Sequence, residues 1–162
     1  MTAESDSARE LLRHTVATLA YRGGKTLRDA DANFAAFRAS EKTHTPVEIL
    51  AHIGDLLAWG LSIAKGQESW SGVKPKGWDY EVERFFAGLK NFDDYLASGE
   101  PLVCPAQKLF QGPIADALTH VGQIAMLRRL AGDPMRGENY FVAEITVGRV
   151  GTEQPEPRFE FE

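Results

Sequence analysis

The chain has 162 residues, with 18 Lys plus Arg against 23 Asp plus Glu, a formal charge of −5, and 43% hydrophobic and 25% charged residues. That composition fits a single globular domain long enough to fold without disulfides or a structural metal. An acidic balance with no Lys/Arg cluster gives no electrostatic footprint for phosphate backbones, so no nucleic acid partner is expected.

Residues 7–21 place Leu11, Leu12, Val16, Leu19 and Ala20 at helical spacing, and Gly23 with Gly24 reads as the stop of this first helix. Residues 25–44 contain Phe34 and Phe37 and are expected to form a short helix or a packed loop. Thr45, Pro46 and Glu48 then spell a capping box with proline at the first helical position. A second helix is expected over 46–65, closed by Gly66. The loop 67–77 carries Trp70 and Pro75 and is expected to lie against the body.

The third helix is expected over 78–97, where Val82, Phe85, Phe86, Leu89, Phe92 and Leu96 recur at three- and four-residue spacing. Gly112 and Pro113 read as the start of a fourth helix that ends at Gly132. Four amphipathic segments of similar length predict an all-α four-helix bundle. Residues 140–147 and 158–162 read as short strands, a hairpin laid over the bundle. The whole of 1–162 is expected to be one domain, with 133–162 a C-terminal extension packed on it.

The longest run free of Asp, Glu, Lys and Arg is 117–127, short of the roughly 18–20 residues that a membrane span requires. No membrane partner is expected. The start of the chain is acidic and polar where a secretory signal is basic and then apolar, so a cytoplasmic location is expected. Cys104 is the sole cysteine, which excludes an intrachain disulfide and a cysteine-based zinc cluster. With no adjacent histidine or basic residue it reads as an inert thiol.

Of the four histidines, His52 falls at the edge of the apolar stripe of the second helix, formed by Leu50, Ile53, Leu57, Leu61 and Ala64. In the fourth helix Asp116 and His120 are four residues apart and share a face, a spacing that suits chelation of one divalent ion and equally an ordinary helix-surface pair. Asp116 reads as a first-turn carboxylate favoured by the helix dipole. Gln123 reads as a surface amide within reach of a ligand. Trp59, Trp70 and Trp78 read as core or boundary packing that could also line an apolar pocket. Residues 148–151 read as a turn.

The strings TPVEILAHIGDL at 45–56 and ALTHVGQIAMLR at 117–128 resemble the second and fourth helices of the DinB-like (DinB/YfiT) superfamily, and the resemblance runs from the first helix through Gly132. It implies an up-down-down-up four-helix bundle, frequently dimeric. It also implies a divalent ion, commonly zinc or nickel, held by one histidine of the second helix and a His-x-x-x-His pair of the fourth. His52 matches the first ligand and His120 the last, while Asp116 stands where the family has histidine. Two imidazoles and one carboxylate also suit manganese or iron. The function implied is that of a metal-dependent enzyme acting on a small molecule, by transfer of a low-molecular-weight thiol or by hydrolysis. The alternative is a metal-free, non-catalytic module of the same fold that binds a small molecule or a protein.

Overall fold

A computed structural model describes residues 3–31 and 33–162. Among these, four long α-helices dominate: α1 (Ala3–Leu27), α2 (Pro46–Ala64), α3 (Trp78–Ala97) and α5 (Ala115–Leu130). A 3-10 turn at Phe34–Ala36 and one α-helical turn, α4 (Ala106–Leu109), complete the helical part. The only strands among the described residues are β1 (Gly137–Glu138) and β2 (Glu160–Phe161), paired antiparallel with Gly137 opposite Phe161.

The start of α2 follows from its capping box. The Thr45 hydroxyl accepts the Glu48 amide at 3.3 Å, and the Glu48 carboxylate accepts the Thr45 amide at 2.7 Å. Donation by the Thr45 amide is the main reason that the Glu48 carboxyl is held below its usual range. By length and mean hydropathy α2 could cross a membrane. Its apolar side is instead buried in the core, packed against α3 and α5. Helix α1 likewise packs against α3 and α5. Large side chains fill the space between the helices: Leu19, Leu50, Ile53, Leu57, Phe85, Leu89, Phe92, Leu96 and Ile124 are all fully buried.

Three expectations are corrected. The first helix does not stop at Gly23 and Gly24 but continues to Leu27. A Cβ on Gly23 would lie 2.4 Å from the Phe85 ring, so the glycine serves close approach of α1 to α3 and not helix termination. The fourth helix does not begin at Pro113: α4 passes through a π-helical turn, Phe110–Ile114, directly into α5. Proline has no amide donor and its ring clashes with the preceding turn, and the widened turn absorbs both defects inside a continuous helical run. Asp116 therefore lies within that run and not at its free N-terminus.

The hairpin is also smaller and elsewhere than expected. Residues 140–147 form turns, a bend and irregular chain, and Phe141 is 96% exposed, so that segment does not pack as a strand. Within that segment Tyr140 meets the Tyr21 ring at 6.2 Å and Ile145 packs on the core, and residues outside it fasten the tail as well. Val150 joins the core, and buried Glu138 accepts the Tyr21 hydroxyl at 2.6 Å and the Lys25 ammonium at 2.8 Å. Lys25 also reaches Glu160 at 2.6 Å, which ties both strands to α1.

Candidate metal centre

Helix α2 presents His52 one turn before Asp55, on the boundary between its buried and exposed sides. The run that includes α5 presents Asp116 immediately after the π-helical turn, and His120 one turn later. Widened turns of this kind are frequent at functional sites because they shift the register of the side chains that follow.

These three residues converge. His52 Nε2 lies 3.8 Å from Asp116 Oδ2, His120 Nδ1 lies 3.2 Å from Asp116 Oδ1, and the two imidazole centroids are 4.7 Å apart. One ligand atom from each residue lies within 4.8 Å of the others. Metal–ligand bonds of about 2.0–2.1 Å in a tetrahedral zinc site separate the ligand atoms by about 3.4 Å. The group would thus close by on the order of 1 Å around an ion, a movement within reach of side chains that are 37%, 48% and 19% exposed for His52, Asp116 and His120.

The tautomer of His120 is set locally. Its Nδ1 lies 2.8 Å from the main-chain oxygen of Asp116, and a carbonyl only accepts, so Nδ1 carries the proton in this bond. In the neutral ring Nε2 then keeps its lone pair and is the atom left to ligate an ion, while the 3.2 Å approach to the Asp116 carboxylate is made by the protonated Nδ1. Two neutral imidazoles and one carboxylate form a donor set that suits zinc, nickel, manganese or iron.

Aromatic rings flank the group. The Trp70 indole meets His52 edge to face at 5.7 Å, and Trp59 meets Trp70 at 5.8 Å with the rings nearly perpendicular. Trp78 belongs elsewhere, packed on Phe34. Gln123 is exposed. His14 and His44 are exposed as well, His44 lying 3.9 Å from Glu48. Burial pushes the Cys104 thiol up from its usual value, which matches the reading of an inert cysteine.

Beneath the site lies a network that the sequence does not announce. Arg84 of α3 donates to Asp55 at 2.8 Å, to Glu81 at 2.7 Å and to the main-chain oxygen of Ala51. It reaches across α2 at Gly54, where a Cβ would stand 2.6 Å from the guanidinium carbon. Burial opposes the charge on Arg84, and the hydrogen bonds that it donates to Glu81 and Asp55 outweigh it, so the guanidinium is held above its usual value.

No protein-family model matches this chain, and no curated protein or solved structure is significantly similar to it.

Proposed function

We propose that His52, Asp116 and His120 hold one divalent cation, zinc or nickel foremost, with manganese or iron also compatible, and that the protein is a DinB-like metal-dependent enzyme acting on a small molecule. The observation that carries this reading is the convergence of two imidazoles and a carboxylate from α2 and α5 on one point, with one imidazole already fixed through its Nδ1 proton.

The helix contacts support the family's up-down-down-up order. Gly54, Leu57 and Gly60 of α2 approach Arg84, Gly88 and Phe92 of α3 in rising order, as parallel helices do. Arg9 and Gly23 of α1 meet Leu96 and Phe85 of α3 in falling order, as antiparallel helices do. Leu11 shares an apolar groove with Phe110, while Thr26 binds Arg128, which runs α1 parallel to the last helix. Exposed Leu11, Phe110, Met126 and Leu130 suit the homodimer that the resemblance implies.

A bound divalent ion with three protein ligands supplies a Lewis acid that favours the deprotonated form of a thiol or water in an open position. The chain's own residues do the rest. Asp116 offsets one of the two positive charges, His120 is held in the tautomer that offers Nε2, and Trp70, backed by Trp59, packs against the His52 ring. The substrate class is a small molecule, with a low-molecular-weight thiol as the donor in thiol transfer, or water in hydrolysis.

Calorimetric titration of untagged, metal-free protein tests the reading. One equivalent of zinc or nickel should bind, and His120→Ala should weaken binding by more than the 10–100-fold, roughly, that loss of an outer contact costs. Asp116→His should tighten zinc binding, since it restores a third imidazole. Failure of the wild type and of Asp116→His to bind zinc, nickel, manganese or iron refutes the ligand set in favour of a metal-free binding module.

A further inference from the structure

Residues 65–77, between α2 and α3, are exposed throughout, yet they are held at four points. The Ser62 hydroxyl accepts the Ser69 amide at 3.0 Å, and Glu68 accepts the Trp59 indole N–H at 3.4 Å. Further along, Asp55 accepts the Val73 amide at 3.2 Å and Glu81 accepts the Lys76 amide at 3.0 Å. Asp55 and Glu81 are the two carboxylates bonded to Arg84, and their side chains are 5% and 0% exposed.

Buried charges in such a network hold their geometry, because separating one partner leaves the other unpaired in a medium of low dielectric. The second half of the segment is therefore anchored to the interior of the bundle, three residues along α2 from His52. Its first half delivers Trp70, which is half exposed and so gains little from burial where it stands. What Trp70 does meet is the ring of His52, in an edge-type contact with the planes at 66°, and, in a second contact, the ring of Trp59.

We infer that Trp70 is a positioning residue of the metal centre and that 67–77 is a strap which presents it: the indole fixes the plane of the His52 imidazole, from which Nε2 faces Asp116. The inference rests on the metal-binding reading above. Second contacts of this kind govern the affinity of a ligating histidine by restricting its rotation before the ion arrives. His120 obtains that restriction from the Asp116 carbonyl, whereas His52 has the ring contacts with Trp70 and His120.

Two measurements on the full chain decide the matter. In nickel titrations, Trp70→Ala should bind about 10-fold more weakly or worse, and Trp70→Phe should return to within about threefold of the wild type, since a phenyl edge can still meet the imidazole. In metal-free protein, the imidazole resonances of His52 in two-dimensional 1H–15N spectra should shift in Trp70→Ala, which removes the indole ring current, and stay in place in Trp78→Phe. Wild-type nickel affinity in Trp70→Ala overturns the inference, as do His52 resonances that do not move. If the wild type itself takes up no nickel, the metal reading fails, and the metal-free spectra alone still decide whether Trp70 stands against His52. Far-UV circular dichroism of each variant separates local effects from loss of the fold.

Discussion

Gly23 and Gly24 are adjacent in α1, and replacing each by alanine should change stability in opposite directions. Within a helix, alanine is favoured over glycine by about 0.5–1 kcal/mol, because glycine loses more backbone freedom on folding. At Gly24 the new Cβ would sit 3.6 Å from the Phe86 ring and 3.7 Å from Gln154, which is ordinary contact, so Gly24→Ala should stabilise by about that amount. At Gly23 the new Cβ would stand 2.4 Å from Cζ of Phe85 and 2.9 Å from Cε1, against about 3.5–4.0 Å for a relaxed carbon pair.

The Phe85 ring must then retreat by about 1 Å or more, yet Phe85 is fully buried and stacked edge to face on Phe86 with centroids 5.0 Å apart. Overpacking of that kind costs about 1–3 kcal/mol, which outweighs the helical gain and leaves Gly23→Ala less stable by roughly 1–2 kcal/mol. Urea denaturation of both variants measures the difference, with equal slopes confirming a change in stability and not in the unfolded chain. Combining Gly23→Ala with Phe85→Leu should show favourable coupling in a double-mutant cycle. If Gly23→Ala were as stable as Gly24→Ala, the packing argument for the continuous first helix would be wrong.

Other consequences are open to direct measurement. Thr45→Ala removes the hydroxyl of the capping box and should cost about 0.5–2 kcal/mol in thermal or urea unfolding. Glu138→Ala leaves the Tyr21 hydroxyl without its acceptor and should destabilise by at least about 2 kcal/mol, since bonds to charged groups contribute about 1.5–3 kcal/mol. Limited proteolysis should then trim the variant after about residue 133 faster than the wild type. Burial first, and the hydrogen bond to Glu138 next, raise the Tyr21 phenol above its usual value. A raised folded pKa means that this contribution to stability is full below about pH 10 and is lost as the pH climbs from the ordinary phenol value through the raised one. The advantage of the wild type over Tyr21→Phe in denaturant midpoint should hold constant below that window and shrink within it.

What is legible in the sequence is what is encoded locally. The third helix ends where Gly99 and Pro101 require, and it occupies the expected Trp78–Ala97. The second departs by one residue, because its capping box and Gly66 act within a few bonds of the backbone they control. Gly23 departs from its usual meaning because it makes room for Phe85 of α3, whereas Pro113 is absorbed by the widened turn in which it lies. The strand expectation at 140–147 equates apolar alternation with burial, whereas the tail is secured by the polar Glu138, by Val150 in the core and by contacts of Tyr140 and Ile145.

At the site, the Asp116–His120 spacing is a property of one helix and is visible in the sequence. His52 joins them only through the family resemblance, and the structure brings the three side chains together. The place of Trp70 has no local signal. It depends on Arg84 bridging two buried carboxylates on different helices and on amides donated by an irregular loop.

The central claim, that His52, Asp116 and His120 form one metal centre, is tested most directly by X-ray absorption spectroscopy of the protein loaded with one equivalent of zinc. A first shell of nitrogen and oxygen at about 2.0–2.2 Å, with the outer scattering of two imidazoles that falls to one in His52→Ala and in His120→Ala, is the predicted result. A sulfur shell at about 2.3 Å, which would implicate Cys104, or a spectrum unchanged by either substitution, would contradict it.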